Sequence, residues 1–355
     1  MVTNRVVVTG GAGYIGSHTL LELLGIGYEV CVLDNFANSS PEALVRVSKL
    51  AGREFAIETA DIRDEQALYR IFGAFKPDAI IHFAGLKAVG EGEIKPVEYY
   101  DVNVAGTLNL LKAMNASNCS RIIFSSSATV YGDPDYLPLD EAHSCRPASV
   151  YGRSKYFAEQ VLFDWARSAP RRNAILLRYF NPVGADESGE IGEDPQGIPN
   201  NLMPFIAQVA SGRRQQLAIY GDDYETRDGT GLRDYIHVSD LARAHVAALG
   251  YASRGYVGAD VFNLGSGKGA TVREMLAAYE VACGRSLPSQ VVSRRAGDVA
   301  ASVADPSKAE KLLDWRTRHT LEEMCSSSWS WQSKNPTGYR AAEPADVSAK
   351  ARDAV

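Results

Sequence analysis

Tyr151 and Lys155 stand four positions apart in Tyr151-Gly-Arg-Ser-Lys155. On a helix, that spacing puts both side chains on one face. A lysine ammonium favours the phenolate of a nearby tyrosine and lowers its pKa toward working pH. Such a tyrosine can take a proton from an alcohol while hydride leaves the carbon. Upstream lies a glycine-rich turn, Gly10-Gly-Ala-Gly13-Tyr-Ile-Gly16. Gly10 permits a tight turn, Gly13 lets backbone approach a pyrophosphate, and Gly16 allows a helix to pack closely on a sheet. The helix N-terminus then holds the anion. Glycine spacing alone serves ordinary turns too; a strand before it and a helix after it make the dinucleotide reading.

Asp34 ends a second strand at the expected distance from the glycines. A carboxylate there accepts hydrogen bonds from an adenosine ribose and repels a 2′-phosphate, which favours NAD over NADP. It could instead cap the following turn. Asp61 and Ile62 follow a third strand and could meet an adenine ring. Phe83, Ala84, Gly85 and Lys87 follow a fourth, at the edge where such sheets bind ligands. Ser127 closes a fifth strand, where its hydroxyl can share a hydrogen bond with the substrate alcohol and Tyr151; a polar strand end is the alternative. No Gly-x-Ser-x-Gly elbow is present, so serine hydrolysis is not indicated.

Short apolar or β-branched runs must position these groups: Val6–Thr9, Glu29–Leu33, Ala79–His82, Arg121–Ser125 and Ala174–Arg178. They suit a sheet covered on both faces. Helical patterns lie between them, at Gly16–Leu24, Glu65–Phe72 and Val97–Met114. The alternation predicts an α/β fold with a doubly wound parallel sheet. A helix over Tyr151–Ser168 carries one line through Tyr151, Lys155 and Ala158 and a second, apolar line through Phe157, Val161 and Trp165. Pro182–Pro204 reads as ligand-approaching loops with little regular structure. Tyr235–Leu249 reads as a helix rejoining the first domain, Val261–Leu264 as a strand, and Thr271–Cys283 as a helix capped by Thr271. The expected division is a cofactor domain over 1–182, joined by about 235–266, then a smaller α/β substrate domain over 183–340. Residues 341–355 are expected to be a disordered tail.

The chain has 355 residues, enough for a large core or two moderate ones. A net charge of −6 gives no support to non-specific nucleic-acid or anionic-membrane binding, so local groups must hold any phosphate. Five scattered cysteines without C-x-x-C spacing predict reduced thiols in a cytoplasmic protein, with no zinc site. A strand-like run begins within a few residues of the start, leaving no room for a signal peptide. No apolar run approaches membrane-spanning length.

From about residue 5 to 340 the chain resembles the extended short-chain dehydrogenase/reductases. Within that family it is similar to members that invert C4 of UDP-hexoses. The motifs are Thr9-Gly-Gly-Ala-Gly-Tyr-Ile-Gly-Ser-His18, His82-Phe-Ala-Gly-Leu-Lys-Ala-Val-Gly90, Arg178-Tyr-Phe-Asn-Pro-Val-Gly-Ala185, Gly192-Glu-Asp-Pro-Gln-Gly-Ile-Pro-Asn-Asn-Leu-Met-Pro204 and Arg233-Asp-Tyr-Ile-His-Val238. The resemblance implies a Rossmann fold and NAD as a bound catalytic cofactor with no net redox change. It implies Tyr151 as base, with Ser127 beside it and Lys155 lowering its pKa and holding the nicotinamide ribose. It adds Tyr14, Ile15, Asn35, Asn38, Ser39, Asn103 and Phe180 to the cofactor contacts above. It places Asn181 and Asn201 near the phosphates or sugar and Leu202 at the uracil. Arg233 and Arg295 grip the pyrophosphate, a task suited to the arginine fork. Asp298 accepts from the uridine ribose. Lys87, Tyr179, Tyr220 and Tyr235 complete the substrate contacts. The helices at 97–114 and from Tyr151 are expected to form an intersubunit bundle in a homodimer.

Two departures from the family pattern matter. Asp101-Val-Asn103 carries valine where some relatives have a second asparagine, which leaves Asn103 for the polar contact. Ser302 stands where some relatives carry a bulky tyrosine, and a small residue there goes with acceptance of N-acetylated sugars. Two other readings compete. A nucleotide-sugar 4,6-dehydratase needs an acidic pair after the threonine of the fifth strand, and Ala128-Thr129-Val130 offers no acid. A non-catalytic NAD-binding regulator would have no use for the tyrosine–lysine pair.

Overall fold

A computed structural model describes residues 5–197, 199, 201–295 and 297–340. The tail expected at 341–355 lies outside them.

The first half alternates regularly. It runs β1 (Arg5–Thr9), α1 (Tyr14–Gly25), β2 (Glu29–Asp34), α2 (Pro41–Ala51), β3 (Ala56–Thr59), α3 (Glu65–Phe75) and β4 (Ala79–His82). Two short helices follow, α4 (Val89–Ile94) and α5 (Pro96–Tyr100), then α6 (Gly106–Ser117), β5 (Arg121–Ser127), α7 (Val150–Arg167) and β6 (Asn173–Tyr179). The second half holds β7 (Asn181–Val183), α8 (Leu202–Ala210), β8 (Leu217–Tyr220), β9 (Leu232–His237), α9 (Val238–Ser253) and β10 (Gly258–Leu264). It ends with β11 (Gly269–Thr271), α10 (Val272–Cys283), β12 (Ser289–Val292), β13 (Ala301–Ser302), α11 (Ser307–Leu313) and α12 (Leu321–Lys334).

Seven strands make one parallel sheet in the order β10-β6-β5-β4-β1-β2-β3. Side chains alternate along each strand, so the sheet builds two cores. Val6, Val8, Val32, Ile81 and Ile123 pack under α1, α2, α9 and α11. Val7, Leu33, Ile80, Ile122 and Phe124 pack under α3, α6 and α7. A smaller unit joins β11, β9 and β13, with β7 paired to β9, a separate β8–β12 pair and a third core among α8, α10 and α12. Among the described residues no helix is long and apolar enough to cross a membrane.

Several elements differ from the sequence reading. The helix expected from Tyr235 starts at Val238, because Tyr235, Ile236 and His237 pair with Asn181, Pro182 and Val183. The loop expected over 182–204 ends in α8, whose third residue is Pro204. Proline is tolerated there because the first-turn N–H groups have no intrahelical partner. The helix expected over 97–114 contains a π-helical turn at Asp101–Ala105. On α7, Trp165 joins the buried line of Tyr151, Lys155, Ala158 and Leu162, while Phe157 is 47% exposed. Eight residues at 100° each rotate Trp165 about 80° away from Phe157. Thr271 caps α10 through a reciprocal pair of bonds with Glu274, as its sequence predicts.

Candidate active site

The strand order reverses between β1 and β4, which leaves a crevice beyond their C-terminal ends. A cleft of about 1050 Å³ opens there, between the large sheet and the smaller unit. Its cofactor wall is largely backbone. Gly10 has φ +70°, and a Cβ there would stand 2.7 Å from the Ala84 nitrogen. At Gly16 a Cβ would meet the Gly10 oxygen at 2.3 Å. Only glycine lets this turn pack so closely on the loop after β4 and on itself. Gly13 is the N-cap of α1, whose first turn lines the cleft with no side chain capping its N–H groups. Such a cradle fits a dinucleotide pyrophosphate.

Asp34 is buried at the end of β2. Its carboxylate accepts from Ala12 N at 3.0 Å, Phe36 N at 2.9 Å and Ser39 Oγ at 2.9 Å. It thus shapes the following turn and also lines the cleft with Asn35, Asn38 and Ser39. Two carboxylate oxygens offer about four acceptor positions, so room remains for a ribose hydroxyl. Asp61 is held by Arg63 at 2.8 Å and by Asn35 at 2.8 Å. The Arg63 hydrogen bond, chiefly, holds its carboxyl down at about 2. Tyr14, Ile15, Ile62, Phe83, Ala84, Gly85 and Phe180 complete this wall. The Tyr14 hydroxyl reaches the other unit and donates to Gly184 O at 2.6 Å.

At the end of β5, Ser127, Tyr151 and Lys155 line the cleft together. Ser149 caps α7 on Gly152 N and so fixes the helix start just before Tyr151. Lys155 Nζ donates to Ser125 O at 2.9 Å and stands 4.8 Å from the Phe124 ring centre. Burial lowers the lysine to about 8. Burial also pushes Tyr151 well above its ordinary value, and the neighbouring Tyr179 adds to this; the Ser127 hydroxyl pulls the other way. The lysine-lowered tyrosine expected from the sequence is therefore not a property of the chain alone. Desolvation of both groups outweighs their spacing.

The opposite wall carries Asn181, Asn201, Leu202, Tyr220, Arg233, Tyr235, Arg295, Asp298 and Ser302, with Tyr179 at the junction; Lys87, after β4, faces them from the cofactor wall. Ser302 pairs in register with Arg233 across β13 and β9. Arg233 lies 3.8 Å from Asp298, and Arg295 stacks 4.3 Å over Tyr220. Asn181 Nδ2 donates to Asp234 O at 2.9 Å.

Asn103, expected to meet the cofactor, is buried behind the cleft-lining loop after β4. It lies in the π-helical turn, where it accepts from Leu86 N at 2.8 Å and donates to Leu86 O at 3.0 Å and Ser154 Oγ at 2.9 Å. It braces the loop after β4 against α7. Glu193 carries no site role in the sequence pattern. It lines the cleft within 3.3 Å of Lys87. That loop carries several acids, Asp186, Glu187, Glu190 and Asp194 among them, so nothing in the sequence separates Glu193 from its neighbours.

A parallel sheet in this order, with tyrosine and lysine on the helix after β5, defines a dinucleotide-dependent enzyme that works on an alcohol. Residues 7–328 match the family model described as GDP-mannose 4,6 dehydratase. A UDP-glucose 4-epimerase of Mus musculus is 54% identical over 344 residues, covering 95% of this chain and 99% of the mouse protein. One of Bacillus subtilis is 51% identical over 338 residues, covering 95% and 99%. The crystal structure of UDP-glucose 4-epimerase from Bifidobacterium longum, in complex with NAD+ and UDP, superposes with a TM-score of 0.91 at 52% identity, covering 94% of this chain and 99% of that one. The chain belongs to the extended short-chain dehydrogenase/reductases, in the family of the UDP-glucose 4-epimerases.

Proposed function

We propose that the protein is an isomerase that interconverts UDP-glucose and UDP-galactose at C4 with NAD as cofactor. The observation that carries this reading is the meeting of Ser127, Tyr151 and Lys155 in one cleft with Arg233, Arg295 and Asp298 opposite. NAD, which Gly10, Gly13, Asp34 and Lys155 would hold, would supply the hydride acceptor and a cationic ring. Tyr151 takes the proton of the 4-hydroxyl and Ser127 shares its hydrogen bond. Lys155, charged below about pH 8, favours the phenolate. Arg233 and Arg295 hold the diphosphate while the 4-keto sugar turns over and presents its other face. Asp34 selects NAD over its 2′-phosphorylated form.

Product analysis tests this. Purified protein given UDP-galactose should yield UDP-glucose. A 4-keto-6-deoxy product would establish a dehydratase instead, and no product with bound NAD would establish a regulator. The dehydratase is disfavoured by the residue after Thr129, the fully buried Val130, which leaves no acid at that point.

Three finer proposals follow. Ser302 leaves room for an N-acetyl group at C2 of the turning sugar, which extends the substrates to UDP-N-acetylhexoses. The exposed apolar side chains Val97, Leu108 and Phe157 form a homodimer face; a monomeric mass by light scattering would contradict it. The five cysteines are free thiols, which fits a cytoplasmic protein.

A further inference from the structure

Glu193 lies where the two walls of the cleft meet, and its side chain is only 12% exposed. Its Oε1 accepts from Lys87 Nζ, on the cofactor wall, at 3.3 Å. The same oxygen takes a longer contact, 3.5 Å, from Asn201 Nδ2 on the substrate wall. The loop beneath it is pinned. Trp331 Nε1 donates to Glu193 O at 3.2 Å. The Tyr339 hydroxyl meets both the N–H and the C=O of Gly192, at 3.1 and 3.2 Å. A Cβ at Gly192 would stand 2.4 Å from the Trp331 ring.

Asn201 gives a second, independent observation. It occupies the N-cap of α8, a position where asparagine normally accepts from the helix's own N–H groups. Here its side chain makes no capping bond and turns to Glu193. A half-exposed ion pair stabilises a fold little. A carboxylate fixed by its backbone, with one donor from each wall, instead sets geometry. Facing an anionic substrate alone it would repel; neutralised by Lys87, it orients.

We propose that Glu193 is a positioning residue for the reaction. By holding Lys87 and Asn201 on one oxygen, it sets the spacing of the two walls and keeps the Asn201 amide turned into the cleft toward the substrate's diphosphate. The inference rests on the UDP-hexose reading above.

Glu193→Gln keeps the shape and removes the charge. Bound NAD and melting temperature should stay at parental levels, while kcat/KM for UDP-galactose falls about tenfold or more. Glu193→Asp should recover part of the loss. In a cycle with Lys87→Met, the double variant should be little worse than the worse single variant, because both changes break one contact. Parental kcat/KM in Glu193→Gln, additive losses in the cycle, or loss of bound NAD would each overturn the proposal. So would tighter UDP binding by the glutamine variant, which would make Glu193 a simple repulsive charge. The parent is assayed alongside: an inactive parent sinks the UDP-hexose reading, whereas an active parent with an unaffected variant sinks only this inference.

Discussion

On the cofactor wall, the groups that meet the cleft hang from strand ends and helix starts of one seven-stranded parallel sheet. On the substrate wall they hang from strands of two to six residues, from the start of α8 and from the loop after β12. The first wall is held by repeated backbone ladders and two apolar cores. The second has a smaller apolar core of its own and leans, in addition, on single polar side chains. Asp234, fully buried, accepts from Ser266 N and Oγ at 2.7 Å each, Gly267 N at 3.0 Å and Ala304 N at 3.1 Å. One carboxylate thus ties β9 to two loops. Regular pairing can tolerate substitution of side chains, whereas a wall hung on individual polar contacts exposes its geometry to single changes. That suits a division in which the cofactor stays fixed and the substrate wall decides what turns over.

The largest effect should come from the cofactor wall. Tyr151→Phe removes one hydroxyl from a helix whose packing is otherwise kept. Proton transfer of this kind contributes about a hundredfold to ten-thousandfold, so turnover should fall by that much with NAD still bound. Near-normal kcat in that variant would take Tyr151 out of the reaction.

A smaller, selective effect should come from the substrate wall. Ser302→Tyr adds a ring beside Arg233 at the β13–β9 pairing. Activity on UDP-N-acetylhexoses should drop about tenfold or more relative to activity on UDP-hexoses. Equal losses on both substrate pairs would assign the effect to general damage of that strand.

The smallest effect concerns stability, and it should track the cofactor wall. Burial lowers His18 and His245 to about 4 and His82 to about 3. His82 is hemmed by Thr9 Oγ1 at 2.7 Å and Thr107 Oγ1 at 3.1 Å. Between about pH 6.5 and these values, the unfolded chain binds protons that the folded chain does not. Stability is therefore fully present above about 6.5 and declines as pH falls toward 4. Melting temperatures measured from pH 7.5 to 4.5 should fall across that window. A flat profile would mean that these rings are solvated in the fold.

The same contrast governs what could be read without coordinates. Tyr151 and Lys155, the glycine turn and the strand ends at Asp34 and Ser127 are local patterns on a regular alternation, so their spacing carries their meaning. The substrate wall is built by long-range pairing. Tyr235 sits in an apolar run that looks helical until β7 pairs with it across 54 positions of chain. Pro204 marks a loop only until it is seen in the first turn of α8. Asn103 reads as a ligand contact by analogy, and only the π-helical turn shows that it faces Leu86 and Ser154. Tyr151 was placed by its spacing, but burial sets its proton affinity, and burial cannot be read from four residues.

The central claim is that the hydrogen on C4 leaves and returns as hydride while Tyr151 handles only the hydroxyl proton. The most direct test is to turn UDP-galactose over with the purified protein in heavy water and inspect C4 of the UDP-glucose formed by proton NMR. The account predicts that C4 keeps its original hydrogen, with no deuterium incorporated from solvent. Deuterium at C4 would contradict it, because the carbon would then have been inverted by proton abstraction.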